Sequence, residues 1–173
     1  MTEAFTAAAR RQPAAALRHA RVAFGHVEIL GISNEDLRWA WPLAARAAHD
    51  LADTATTTEL LALLDGYRPG QLAPMQRAER DLARARLVAS NGGGPEASSA
   101  FAAAIAGLRQ HSTPFHLAHG LLDHAEHLIR LGETEAAVAA TGDARSIATR
   151  LGCQPLLDRA ETIQPTSPRA VAS

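Results

Sequence analysis

Lysine is missing from this 173-residue chain: its 17 basic residues are all arginine. A Gly-x-x-x-x-Gly-Lys-[Ser/Thr] loop needs that lysine to reach nucleotide phosphates, so hydrolysis of the P-loop kind is excluded. A single cysteine, Cys153, rules out an internal disulfide framework and a multi-thiolate zinc site. Flanked by Leu151 and Leu156, it reads as a small buried apolar residue. Aromatic residues make up only 4 %, so any core must be assembled from small aliphatic side chains. Runs of β-branched residues are nearly absent, and no stretch approaches the roughly 20 apolar residues of a membrane span. Met1-Thr2-Glu3-Ala4-Phe5 carries an early acid and no charged-then-apolar leader, which makes a cytoplasmic protein without membrane contact the expectation. A net charge of −1 and a pI near 6.7 supply no global field toward nucleic acid, so direct nucleic-acid binding is not expected.

What the chain has in abundance is alanine, in runs such as Ala7-Ala8-Ala9, Ala14-Ala15-Ala16 and Ala102-Ala103-Ala104. Alanine has the highest helix propensity and lets helix axes approach closely. Gly/Pro and polar punctuation divides the sequence into helices near 2–11, 14–30, 35–52, 57–66, 74–90, 96–110, 114–131, 134–150 and 155–163. Ser33 with Asp36 resembles a capping box, Pro74 and Pro114 sit at first helical positions, and Gly132 and Gly152 fall where a left-handed residue ends a helix. Pro42 lies inside one helical pattern and is expected to break or bend it.

The buried stripe of 114–131 (Ala118, Leu122, Ala125, Leu128) recurs about 40 residues earlier as Ala78, Leu82, Ala85 and Val88, with Gly92 set on Gly132. A weaker copy shifted by about 38 sets Ala40 on Ala78, Arg46 on Arg84 and Asp53 on Asn91. Two helices per period predict an all-α protein of antiparallel helical hairpins stacked as a TPR-like right-handed solenoid. The hairpins would lie near 2–30, 35–66, 74–110 and 114–150, followed by a closing helix at 155–163 and a disordered tail at 164–173. Asn91-Gly92-Gly93-Gly94-Pro95 would be the most flexible internal joint.

Three segments, Trp39–Ala48, Thr113–Ala118 and Leu151–Ala160, resemble the carboxy-terminal tetratricopeptide-like arrays of actinobacterial STAND-type signalling ATPases. Relatives of that design carry a nucleotide-cyclase domain or a LuxR-type DNA-binding domain. The resemblance spans roughly 38 to 163. It implies a non-catalytic protein-interaction module for signal transduction or transcription regulation, with no cofactor of its own. It also implies that the chain is the end of a longer solenoid. An open end would leave the Ala-rich face of residues 4–24 exposed and self-associating.

Two constellations are candidate sites. Arg77, Arg80 and Arg84 form a stripe continued by Arg46 in the earlier copy. If 74–90 and 114–131 are first helices of their hairpins, these arginines and His116, His119 and His127 would line a concave groove for acidic protein or peptide segments. The competing reading is surface charge partnered by Glu79 and Asp81. On the helix at 114–131, His116, His119, Asp123 and His127 fall within about 80° of one another, a spacing that suits a zinc or nickel ion. A small metal- or ligand-responsive helical regulator is therefore the alternative function. That arc lies opposite the apolar stripe and is expected to be solvated, as a polar face that happens to use histidine. Trp39 and Trp41 face different ways, one expected in the core and the other available as an anchor. No nucleophile elbow or paired-carboxylate signature points to an enzyme.

Overall fold

The structure, a computed structural model, describes residues 1–163, and the tail expected over 164–173 lies outside the described residues. Among the described residues there are ten α-helices, one 3-10 turn and no strand. The helices are α1 (Thr2–Ala9), α2 (Pro13–Phe24), α3 (Val27–Leu30), α4 (Glu35–Asp50), α5 (Thr54–Asp65), α6 (Pro74–Ser90), α7 (Gly94–His111), α8 (Pro114–Leu131), α9 (Thr134–Leu151) and α10 (Gln154–Thr162). No helix among the described residues is long and apolar enough to cross a membrane. The chain divides into two compact units, residues 1–112 and the part from 113 onward.

Three second helices, α5, α7 and α9, begin at Thr54, Gly94 and Thr134, in a strict 40-residue register. The residue that turns the chain toward each of them is left-handed: Ala52 at φ 54°, Gly92 at φ 84° and Gly132 at φ 79°. Glycine enters that region without a Cβ clash, whereas Ala52 does so at a steric cost. The earliest copy thus closes its turn at a spacing of 40, not 38. Along the first helices, burial still follows the shift of 38 between α4 and α6, since Leu37, Ala40, Ala44 and Ala47 match Met75, Ala78, Leu82 and Ala85. Between α6 and α8 the matched residues Ala78/Ala118, Leu82/Leu122 and Ala85/Ala125 are all buried, as the repeat predicts. Val88, set on buried Leu128, is only half-buried.

In the first unit α2 and α1 pack against α4 around a core containing Ala4, Ala7, Ala16, Leu17, Ala20, Trp41, Ala44, Ala48, Leu60 and Leu64. Trp41 is fully buried and its Nε1–H donates to the Leu60 carbonyl on α5 at 2.9 Å, which satisfies the one polar atom of the indole. Trp39 is half-buried. Of the Ala-rich face of residues 4–24, Ala4, Ala7, Ala16, Leu17 and Ala20 are covered within their own unit. The exposed apolar side chains nearby are Phe5, Val22, Ile29 and Leu30.

Several local expectations are corrected. The helix expected over 14–30 divides at Gly25 into α2 and the short α3, which Gly31 ends at φ 76°. Asn34, not Ser33, caps α4 by accepting from the Asp36 amide at 3.0 Å. The helix α4 runs through Pro42 without a break. Asp53 caps α5 and starts it three residues earlier than expected, accepting from the Thr56 amide at 2.9 Å and hydroxyl at 2.7 Å. Of the joint at 91–95, Gly94 and Pro95 belong to α7, and Asn91, Gly92 and Gly93 link it to α6. In the second unit α8 and α9 form a hairpin, and the nine-residue α10 packs on both. Gly132 and Gly152 end α8 and α9 in left-handed geometry, as expected.

Candidate functional site

The arginine stripe lies on α6 in the first unit. A 3.6-residue turn brings Arg77, Arg80 and Arg84 to one side of the helix, where the last residue of α5, Asp65, meets Arg80 and Arg84. Arg84 Nη2 contacts both Asp65 oxygens at 2.7 Å, and Arg80 Nη1 lies 3.6 Å from Asp65 Oδ1. Asp81 joins at 3.4 Å from Arg80 and 3.7 Å from Arg84. Arg77 Nη1 donates to the Leu72 carbonyl at 2.8 Å, and Arg46 is half-buried on α4. Asp81 was identifiable from sequence. Asp65 was missed, because it belongs to another helix. Glu79, the other expected surface partner, is buried, and the Ser112 hydroxyl donates to its Oε1 at 3.4 Å.

The histidine-bearing arc lies on α8 in the second unit, and it is not a solvated face. Asp123 and His127 are buried, and His116 and His119 are half-buried. The cover is α10. Its Arg159 places Nη2 2.7 Å from Asp123 Oδ1 and 2.8 Å from Glu126 Oε1, with Nε 3.0 Å from the same Glu126 oxygen. Nη1 reaches 3.4 Å from His119 Nδ1. The Asp123 side chain is 1 % exposed, Arg159 22 % and Glu126 36 %, so the pair grades from interior to rim. Burial disfavours the Arg159 charge, but the carboxylates of Asp123 and Glu126 more than offset this and hold its pKa above the ordinary value. Phe115, at the rim, makes edge contacts with the His119 and His116 rings at centroid distances of 4.7 and 5.6 Å.

This arrangement puts an ion pair on an arc expected from sequence to be a solvated polar face and, as the alternative, a metal site. A guanidinium sits where a divalent cation would have to approach Asp123 and His119. Among the described residues no three His, Cys, Asp or Glu side chains assemble as a metal-holding group. The reason is tertiary: a helical wheel shows which residues share an arc and not what packs on it. Arg159 and Glu126 are the participants that spacing arguments missed. The signal available was the i, i+3 carboxylate pair Asp123/Glu126 on one helix, with an arginine on the closing helix. Nearby, burial and the neighbouring His127 lower the pKa of His124, with Glu133 opposing.

Cys153 is half-buried and forms the N-cap of α10, so it is less enclosed than its leucine neighbours suggested. A small cleft in the first unit, lined by His49, Asp53, Thr57, Arg86 and Ser90 among others, encloses about 20 Å³. That is room for about one water and not for a substrate. Its hydroxyls are turned to the backbone, Thr57 donating to the Asp53 carbonyl and Ser90 to the Arg86 carbonyl.

Comparison with protein-family models, curated proteins and solved structures finds no match to this chain.

Proposed function

We propose that the chain is a non-catalytic helical-repeat module of the TPR-like solenoid type that holds acidic protein or peptide segments. In this reading it is the C-terminal part of an actinobacterial STAND-type signalling ATPase or transcriptional regulator and works in the cytoplasm. The observation that carries the reading is the register of α5, α7 and α9, whose starts at Thr54, Gly94 and Thr134 repeat one supersecondary unit. Such a unit buries its apolar face by stacking, which leaves an extended surface for ligands. Its period is longer than the roughly 34 residues of a standard tetratricopeptide unit, so the likeness is one of architecture.

The Arg80/Arg84 face on α6 supports an acidic ligand. Arg84 and Asp65 are each 44 % exposed, and ion pairs of this kind contribute about 0–1 kcal/mol. An acidic segment can therefore replace Asp65 as the partner of these guanidiniums at little cost. The test is fluorescence anisotropy with a panel of acidic helical and extended peptides. Arg80→Glu/Arg84→Glu should weaken binding at least about tenfold, whereas Asp65→Asn should tighten it by removing the internal competitor. Unchanged affinity in both variants defeats the proposed groove.

A further inference from the structure

The contacts of α10 combine one buried apolar side with one largely buried ion pair. Nine residues are too few for a helix to persist alone in water, so α10 depends on the α8–α9 hairpin for its order. Leu156, Ala160 and Ile163 are buried, and Arg159 lies on the same side of the helix, giving the spacing Leu-x-x-Arg-Ala-x-x-Ile. This is the i, i+3, i+4, i+7 pattern by which amphipathic helices dock in grooves. Its polar anchor is a guanidinium, and the receiving surface offers a buried carboxylate, a rim carboxylate and an imidazole nitrogen, all from α8. The link to α9 is only Gly152 and Cys153, with Gly152 left-handed at φ 60°.

We propose that His119, Asp123 and Glu126 form an arginine-receiving site for an amphipathic helix of a partner protein, and that α10 is its tethered, displaceable occupant. The partner helix carries the same four positions, with arginine between the two apolar anchors. In the free chain α10 shields a buried carboxylate from water. Because it is tethered, α10 competes at a high effective concentration, so a partner needs more apolar contact than α10 supplies or a weakened tether. The site takes basic helices, opposite in charge to the ligands proposed for the α6 face, and it stands whether or not that face binds anything.

The test uses the full chain and a fluorescent synthetic peptide with the sequence Gln154–Ile163. Anisotropy is measured against the wild type, Arg159→Ala and the double variant Arg159→Ala/Asp123→Asn. The peptide should bind Arg159→Ala at least about tenfold more tightly than the wild type, because the internal competitor is weakened. Replacing the arginine of the peptide by alanine, or Asp123 by asparagine, should abolish that gain. Equal binding of both peptides to Arg159→Ala, or no binding to it, overturns the proposal. If Arg159→Ala does not fold, hydrogen exchange on the wild type decides. Excess peptide should speed exchange across 154–162 while α8 stays protected, and unchanged exchange at α10 overturns the displacement model. A dimer formed without peptide by exchange of α10 between copies, lost on Asp123→Asn, would make a second copy the occupant and likewise overturn it.

Discussion

Replacing Asp123 by asparagine keeps the shape of the side chain and removes one charge from the pair that docks α10. The carboxylate is 1 % exposed and 2.7 Å from Arg159 Nη2, so its loss is felt in a poorly solvated place. A hydrogen bond to a charged group contributes about 1.5–3 kcal/mol, and removing one partner of a fully buried pair costs about 3–5 kcal/mol. Here Arg159 keeps 22 % of its side-chain surface and retains Glu126 at 2.8 Å, which moderates the loss. The expected cost is about 2 kcal/mol, or roughly a thirtyfold change in the opening equilibrium. Hydrogen exchange should register it as accelerated exchange across α10, and urea denaturation as a lower midpoint. Glu126→Gln is the internal control. With 36 % of its side chain in solvent, Glu126 should cost less than about 1 kcal/mol. An Asp123→Asn variant within about 0.5 kcal/mol of the wild type, or a Glu126→Gln variant that costs as much, would refute the assignment of Asp123 as the inner anchor.

Two further outcomes follow from single residues. The pKa of His124 is lowered in the fold, so the unfolded chain binds its proton at higher pH. Its contribution is intact above the unfolded value near 6.5 and is lost as pH falls from there through the lowered folded value. Thermal melts at pH 7.5 and 5.5 should show this destabilisation, and His124→Gln should reduce it; an identical pH slope in the variant counts against the cause given. Trp41→Phe removes the Nε1–H donor to the Leu60 carbonyl and opens a void at a fully buried position. The expected loss is about 2–3 kcal/mol by denaturant titration, and a loss below about 1 kcal/mol would mean that the α4–α5 contact repacks around the smaller ring.

Much of the helical content was legible in sequence because its signals are local. Pro74 and Pro114 open α6 and α8, and Gly132 and Gly152 close α8 and α9. Where local signals competed, the reading failed in specific ways. Gly25 divided the helical pattern expected over 14–30, and Asn34 displaced Ser33 as cap by one position. Pro42 does not break α4, the first of the two outcomes expected of it. The candidate sites were less legible than the helices. The arc of His116, His119, Asp123 and His127 was identified as a set, yet it is less solvated than expected, since Asp123 and His127 are buried and Asp123 is paired with Arg159 of α10.

The sequence by itself determined the helical class, the 40-residue spacing of α6 and α8 and the small-residue character of the core. Propensity, periodicity and capping act over a few residues and are encoded where they act. Tertiary structure decided which charges meet. Asp65 reaches Arg84 across 19 positions and Arg159 reaches Asp123 across 36. Such pairings depend on how helices cross, and residue spacing along one helix does not contain that information. It was the packing of α10 that placed Arg159 on a helix arc expected to be solvated.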